Sequence, residues 1–276
     1  MTAWKSFQTR ALSAIAALAL IFAAYYFFQV RGLQFVIFLA VAIGIWELQE
    51  ILFNKESSKF IRALFFALTF AVFALSSITL NLGALAFSIA LIILILASLF
   101  VLHTTGDLQR MVRIQANGAL GMFYMGLLPA FAYRLLDTQG LNWFIFLLAV
   151  VFAGDTFAYI FGVLFGRRKM MPAVSPKKSW EGSFGGLFGS LVAAALCGYF
   201  LLPEFNLSFL MPLALFAGYA GQFGDFFESL LKRVAEVKDS GKIMPGHGGV
   251  LDRIDGVLFA SPVILLGVLI LSHLLS

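Results

Sequence analysis

The sequence predicts an all-α, polytopic integral membrane protein with about nine transmembrane helices and a cytosolic N-terminus. Of its 276 residues, 61% are hydrophobic and 12% are charged, whereas a soluble domain carries about 25% charged residues. The mean hydropathy is +0.96. The apolar residues fill long runs instead of one-sided stripes, a pattern that is typical of helices in lipid.

Nine apolar segments approach or exceed the roughly 20 residues that a helix needs to cross a bilayer. Each ends at polar residues or at glycine and proline, and the second is interrupted by Glu47 and Glu50. The first is longer than the apolar core of a signal peptide, so we expect it to be retained as a helix. The segments are 11–29, 33–52, 60–78, 82–102, 116–133, 141–165, 183–202, 209–227 and 251–275.

The distribution of basic residues predicts the orientation, because lysine and arginine collect in cytoplasmic loops. With a cytosolic N-terminus and nine alternating spans, only Arg31 and Arg134 of the 19 basic residues fall on the other side. The net charge of +5 therefore indicates membrane topology, and we do not predict a nucleic-acid partner. The expected location is a bacterial-type inner membrane.

Chemistry-bearing residues divide the chain into two regions. Residues 1–140 have short connections with few such groups, which predicts a scaffold or a lipid corridor. Residues 141–276 contain two cytosolic loops rich in charged residues. We predict that this second region is catalytic.

Paired carboxylates mark the ends of the last two spans. Inserting an acidic residue into a membrane costs about 2.5–3.5 kcal/mol, so acids in or beside the predicted spans require an explanation. Each pair is spaced by three, which puts both members on one helix face, and such oxygen ligands suit Mg²⁺ shared with nucleotide phosphates. The alternative is ion pairing, for which the candidate bases are Lys232, Arg233 and Arg253. The pairs are Asp225 with Glu228 and Asp252 with Asp255, and a further acid, Asp155, lies within the sixth span.

The loop between these pairs mixes bases with acids and glycines, as a site for polyphosphate and a metal requires. Glycines around His247 would let backbone N–H groups approach an anion. No Walker A pattern occurs. His247 is interpreted as a phosphate or base contact, or as a structural loop residue.

The preceding cytosolic loop contains two basic stretches. Arg167-Arg168-Lys169 is explained equally well by a role in the site and by the positive-inside rule, under which such a cluster also attracts anionic headgroups. The positive-inside rule explains the second stretch less well, because a proline, an acid and a glycine accompany its bases just before the next predicted helix. This stretch is Ser175-Pro176-Lys177-Lys178-Ser179-Trp180-Glu181-Gly182.

Three stretches together resemble one family. Ser229–Asp255 contains S-L-L-K-R, a K-D pair, P-G-H-G-G and D-R-I-D, which resembles the signature of phosphatidate cytidylyltransferases. Ser175–Gly182 is similar to the family's upstream S-P-x-K-[ST]-x-E-G element, and Gly154–Tyr159 to its G-D-x-x-A-Y stretch. The motifs cover roughly residues 150–260.

This resemblance implies an all-helical membrane enzyme that condenses CTP with phosphatidic acid, giving CDP-diacylglycerol and pyrophosphate. It also implies Mg²⁺, in some members with a monovalent cation, and a homodimer in many members. Asp225 and Asp252 would hold the metal with Asp255 close by, while Asp155 and Glu228 would support them from outside the ligand set; Asp155 alternatively pairs with a loop base. The groups expected around the nucleotide and lipid phosphates are Lys232, Arg233, Lys238, Asp239, His247, Gly248 and Arg253, with Ser175, Lys178, Ser179 and Glu181 from the facing loop.

Two other function classes share some of these features. A CTP-dependent polyprenol or lipid-alcohol kinase would transfer the γ-phosphate, but the uninterrupted signature run argues against it. An ion-coupled transporter would place its charges near the bilayer midplane on broken helices. Here the acids, apart from Asp155, lie at predicted cytosolic ends.

Overall fold

The computed structural model describes residues 3–53, 58–103, 107–243 and 248–275, with side chains described at residue 16 and, outside those gaps, from 18 to 272. Most of these residues are helical. The elements are α1 Ala3–Leu52, α2 Lys59–Ile78, α3 Leu80–Leu102, α4 Leu108–Gly121, a π-helical segment Met122–Leu127, α5 Leu128–Gln139, α6 Leu141–Phe165, β1 Lys169–Met171, β2 Ser175–Ser179, α7 Trp180–Phe200, α8 Leu207–Val234 and α9 Leu251–Leu275.

Eight helical stretches among the described residues are long and apolar enough to cross a membrane. One of them, Leu108–Gln139, joins α4, the π-helical segment and α5, so the fifth predicted span is part of a longer helical run. The all-α, polytopic membrane fold is confirmed. The count of nine spans and the cytosolic N-terminus stay predictions.

Helix α1 contains the first two predicted spans. Its 50 residues are more than twice what one crossing needs. The helical backbone is interrupted at Gln29, where φ is 54° and ψ is −139°, values that a residue with a side chain rarely adopts. The interruption lies where the sequence predicted the first span to end.

The chain forms two compact units. One contains residues 1–133 and 234–253, and the other contains residues 134–233 and 254–276. The loop between α8 and α9 thus belongs to the same unit as the N-terminal helices. The functional division at residue 140 stays a prediction.

Aromatic rings and one helix cap organise the first unit. The ring of Phe38 lies 4.8 Å from that of Phe73 and 5.6 Å from that of Tyr133, in edge-to-face arrangements. The side-chain amide of Asn117 in α4 donates a hydrogen bond of 2.7 Å to the carbonyl of Leu52. This bond satisfies one carbonyl at the end of α1, where helical partners are missing.

Helices α6 and α7 of the second unit pack closely through small residues. Gly185 faces Phe161 so closely that a Cβ atom would clash with the ring. Ser190 in α7 donates a 2.9 Å hydrogen bond to the carbonyl of Val150 in α6. Small residues with such hydrogen bonds are typical of helix contacts in membranes.

A short antiparallel hairpin connects α6 to α7. Strands β1 and β2 pair with Lys169 opposite Ser179 and Met171 opposite Ser175. The all-α prediction did not include this hairpin. The hairpin contains most of Ser175–Gly182, the second basic stretch of this loop. That stretch is therefore a strand that leads directly into α7.

Candidate active site

The hairpin is fixed to the start of α7 by backbone and side-chain hydrogen bonds. Ser179 is buried, and its hydroxyl oxygen accepts a 3.2 Å hydrogen bond from the N–H of Gly182. This is an N-cap, which satisfies one N–H group of the first helical turn. The N–H of Trp180 donates to the carbonyl of Arg168 at 2.9 Å. Ser179 therefore positions the hairpin in this structure.

Glu181 fixes the other end of the hairpin. Its carboxylate accepts hydrogen bonds from the backbone N–H groups of Arg167, at 3.0 Å, and Arg168, at 3.2 Å. Bonds from backbone N–H groups to a carboxylate are among the stronger hydrogen bonds in proteins. The predicted loop acid thus holds the start of the basic stretch, a structural role that the sequence pattern did not predict.

Lys178 connects the hairpin to the first acidic pair. Its ammonium nitrogen lies 2.6 Å from Oδ2 of Asp225 in α8 and 4.0 Å from the centre of the Phe226 ring. Ser229 donates a longer hydrogen bond, 3.4 Å, to Oδ1 of Asp225. A predicted substrate-binding lysine and a predicted metal ligand are therefore in direct contact.

Acidic side chains converge around the start of α9 in this unit. Asp255 is 8% exposed, and the carboxyl groups of Asp225, Glu228 and Asp155 are close enough to interact with it electrostatically. The N–H of Gly256 donates a 2.8 Å hydrogen bond to its Oδ1. Repulsion among like charges is costly where water is largely excluded. The arrangement favours a positively charged partner.

Two predicted bases have defined protein contacts. Lys232 lies 2.6 Å from Oε2 of Glu228, which is only 1% exposed. Arg233 donates through Nε to the carbonyl of Val174 at 3.2 Å, which joins the end of α8 to the turn of the hairpin. The ion pairing considered as an alternative for the acids therefore occurs between Glu228 and Lys232. Asp225 pairs instead with Lys178, which was not among the bases considered.

In the other unit, Asp252 organises the loop before α9. Its Oδ2 accepts hydrogen bonds from the N–H of Ser240 at 3.0 Å, from the hydroxyl of Ser240 at 3.0 Å and from the N–H of Gly249 at 2.8 Å. The two members of the second predicted acidic pair therefore have different surroundings. Asp252 is hydrogen-bonded within this loop, whereas Asp255 belongs to the acidic group of the other unit.

Glu47 is a component of this loop that sequence reasoning did not select. It is 2% exposed, and its carboxylate accepts hydrogen bonds from the N–H groups of Val250 and Leu251 and lies 3.2 Å from the hydroxyl oxygen of Ser240. The sequence signal was present, since an acid in an apolar run needs a reason. It indicated only an interruption of the second span.

The remaining predicted residues are mostly solvent-facing. Lys238, Asp239 and Arg253 are exposed, and Ser175 is partly buried. Gly248 has a φ of 85°, a conformation that favours glycine. His247 lies outside the described residues, so its interpretation stays a prediction.

The side chains predicted to bind Mg²⁺ have the oxygen atoms that this ion prefers, but their arrangement fits a metal site less well. Among the residues that the structure describes, no group of three or more His, Cys, Asp or Glu could hold a metal ion. Asp225 and Asp255 are carboxylates that repel each other, and oxygen ligands of this kind suit a hard cation. The ligand set with Asp252 stays a prediction.

Comparison with known proteins identifies relatives of this chain. The model of the cytidylyltransferase family matches residues 8–271. A phosphatidate cytidylyltransferase of Staphylococcus aureus is 39% identical over 145 residues, which are 52% of this chain and 55% of that protein. Enzymes of the same name from Staphylococcus epidermidis and Staphylococcus haemolyticus are 41% and 42% identical over 127 residues, 46% of this chain and 49% of theirs.

These matches span about half the length of the curated relatives. The family model, in contrast, extends over most of the chain, from the first helix to the last. The resemblance that the motifs carry is thereby confirmed at the level of the family. The chain belongs to the cytidylyltransferase family.

Proposed function

We propose that this chain transfers the cytidylyl group of CTP to phosphatidic acid, giving CDP-diacylglycerol and pyrophosphate. The observation that carries the proposal is the contact between Lys178 and Asp225, beside Lys232, Glu228 and Asp255. Cations that could neutralise phosphates therefore lie beside carboxylates of the kind that bind metals, which supports the proposal. The names of the staphylococcal relatives support the same substrates.

The chemistry requires little from a general base. Phosphatidic acid carries a phosphate monoester whose second pKa is near 6, so its oxygen is already a nucleophile at neutral pH. That oxygen forms a bond to the α-phosphorus of CTP. The bond from the α-phosphorus to the oxygen that bridges to the β-phosphate breaks, and its electron pair leaves with pyrophosphate.

The chain's own groups would position two anions and neutralise them, which is the main requirement of phosphoryl transfer. The groups that would contact phosphate oxygens are Lys178, Lys232, Arg233, Lys238 and Arg253. Asp225, Asp252 and Asp255 would hold Mg²⁺. When bound, the metal would supply a positive charge to the reacting phosphate.

The expected membrane location is consistent with this proposed reaction. Helices of membrane-spanning length and bacterial relatives indicate a membrane protein, and we propose the bacterial inner membrane with the site at its cytosolic face. CTP would arrive from water and the lipid from the bilayer. The resemblance also implies a homodimer and a monovalent cation; native mass spectrometry in detergent and turnover with and without K⁺ would test these two expectations.

The decisive experiment follows two labels. Purified protein in detergent micelles would receive phosphatidic acid, Mg²⁺ and CTP labelled at either the α- or the γ-phosphate. We expect the α-label in the lipid, the γ-label in pyrophosphate and no turnover by Asp252→Asn. Glu204→Gln, which removes an exposed carboxylate from the α7–α8 connection, is the control and should behave as wild type.

Each other result has a definite meaning. Label from the γ-phosphate in a lipid alcohol would replace the proposal with a lipid kinase. Folded protein that uses neither label would contradict an enzymatic role with these substrates. Full turnover by Asp252→Asn would leave the activity standing and remove Asp252 from the site.

A further inference from the structure

Glu47 is a buried acidic residue in α1. Helix α1 is apolar through most of its length, and Glu47 lies near its end with 2% exposure. An acid in such a position needs partners that offset the loss of water. The partners that the structure provides all come from one distant stretch, residues 240–251.

The carboxylate of Glu47 caps α9 from outside that helix. Oε1 accepts from the N–H of Val250 at 3.1 Å, and Oε2 accepts from the N–H of Leu251 at 2.9 Å. The first N–H groups of a helix have no partner within it, and a negative charge is favourable at that end. Glu47 thereby fixes where α9 begins.

Ser240 links Glu47 to Asp252. Its hydroxyl oxygen lies 3.2 Å from Oε2 of Glu47 and 3.0 Å from Oδ2 of Asp252, and it also accepts from the N–H of Asp252 at 3.3 Å. A hydroxyl has one proton to donate, so Ser240 can donate to either carboxylate but not to both at once. A change at Glu47 therefore alters what Ser240 offers to Asp252.

The loop is shaped around this carboxylate. A Cβ atom on Gly241 would clash with Oε1 of Glu47, and one on Gly249 would clash with Oε2. Both positions let the backbone approach the acid closely because glycine has no side chain. The fit indicates that the loop and the acid form one structural element.

We infer that Glu47 is a positioning residue for cytidylyl transfer, which holds the start of α9 and, through Ser240, sets the carboxylate of Asp252. The inference rests on the proposed function, in which Asp252 is a metal ligand. Glu47 itself touches neither substrate nor metal in this account. It acts on the reaction through the placement of Asp252.

The test is Glu47→Gln, which keeps the size of the side chain but points an amide N–H₂ at one of the donors. We expect turnover to fall at least tenfold and the Mg²⁺ concentration for half-maximal turnover to rise at least fivefold. Glu50→Gln is the matched control, because Glu50 lies one turn away, is exposed and pairs with Arg62. It should leave both values unchanged.

Ser240→Ala tests the link and serves as the second variant if Glu47→Gln does not fold. It should also raise the Mg²⁺ requirement. If Glu47 acts through Ser240, the double variant should lose less than the product of the two single effects. Effects that multiply independently would contradict the link.

Hydrogen exchange of the metal-free protein supplies a readout without turnover. Peptides that contain Ser240 and Val250–Asp252 should exchange faster in Glu47→Gln than in wild type or Glu50→Gln. Unchanged exchange together with an unchanged Mg²⁺ requirement would overturn the inference while wild-type turnover upholds the proposed function. If wild type makes no CDP-diacylglycerol, the proposed function and the role in transfer fail together, and exchange alone decides whether Glu47 holds the loop.

Discussion

The ammonium nitrogen of Lys178 lies 2.6 Å from Oδ2 of Asp225, which joins the β-hairpin to α8. Their side chains are 26% and 38% exposed, and ion pairs at such exposure contribute only about 0–1 kcal/mol to stability. The pair therefore contributes little to the stability of the fold, and a role in function explains its position better. In the proposed reaction, Lys178 would turn from Asp225 to a phosphate when a metal and nucleotide bind.

Replacing Lys178 should reduce activity far more than stability. For Lys178→Gln we expect kcat/KM for CTP to fall about 100-fold, since removing one preorganised group that stabilises transition-state charge costs about 10²–10³. The midpoint of thermal unfolding in detergent should change by no more than a few degrees. Initial rates over a range of CTP concentrations and a fluorescence melt measure the two quantities.

Lys177→Gln is the control for that experiment. Successive residues of a strand point to opposite faces, so the neighbouring lysine of β2 removes the same charge from the other face. It should retain most of the wild-type rate. Equal losses for Lys177→Gln and Lys178→Gln would indicate a general effect of positive charge and contradict a specific role for Lys178.

Asp255 should limit stability in the absence of metal and allow Mg²⁺ to stabilise the protein. Asp225, Glu228 and Asp155 repel it in a largely buried setting, so Asp255→Asn should raise the unfolding midpoint in EDTA by a few degrees. Wild type should gain stability with Mg²⁺, by about 2.7 kcal/mol at 100 times the dissociation constant. The variant should lose most of that gain and most of its turnover.

Thermal melts of both proteins at increasing Mg²⁺ concentrations measure this difference. Melts with Ca²⁺ at the same ionic strength distinguish specific Mg²⁺ binding from general charge screening. Both ions screen charges equally, but they differ in size and coordination, so only a specific site would respond differently to them. An equal Mg²⁺ gain in wild type and Asp255→Asn would remove Asp255 from the proposed ligands.

The sequence predicted the membrane fold because the relevant signal is local. A run of about 20 apolar residues can satisfy its backbone only as a helix in lipid, and the motif residues stand close together along the chain. The division at Gln29 was predicted from the same run lengths. Acids and bases at the ends of α8 and α9 were selected by their charge, by the spacing of the acids and by the family motif.

Contacts between distant residues could not be predicted in this way. Nothing in the apolar pattern indicates that Glu47 accepts hydrogen bonds from Val250 and Leu251, more than 200 positions later. The hairpin was also missed, because strands of three and five residues are too short to show a period. Ser179 and Glu181 were selected as substrate contacts from a motif, whereas the structure shows them holding this hairpin.

Glu181→Gln should loosen the basic stretch before the hairpin. The amide would lose the charge that strengthens hydrogen bonds from the N–H groups of Arg167 and Arg168, because hydrogen bonds to a charged acceptor are stronger than those to a neutral one. Trypsin should cleave after these arginines several times faster than in wild type. Limited proteolysis of the folded protein, followed by mass spectrometry, measures the rate at each site.

Cleavage elsewhere provides the internal control for this variant. Sites at Lys59 and Arg62, at the start of α2 in the other unit, should be cut at the wild-type rate. A uniform increase at all sites would indicate global destabilisation and contradict a local role for Glu181.

Gly224→Ala should displace Asp255 without changing any charge. A Cβ atom at Gly224 in α8 would clash with the backbone carbonyl of Asp255 in α9, and a backbone atom cannot move aside as a flexible side chain can. Overpacking of this kind costs about 1–3 kcal/mol. We expect a lower unfolding midpoint and, because Asp255 moves with its backbone, a weaker stabilisation by Mg²⁺ than in wild type.

Gly162→Ala is the matched control, since Gly162 is also within a helix. Its added Cβ would lie 3.7 Å from the hydroxyl of Ser179 and 3.8 Å from Gly182, both ordinary contacts. Alanine also favours a helix by about 1 kcal/mol over glycine, so this variant should be as stable as wild type or more so. If Gly224→Ala destabilised the protein but kept the full Mg²⁺ gain, the close approach of α8 and α9 would serve packing alone.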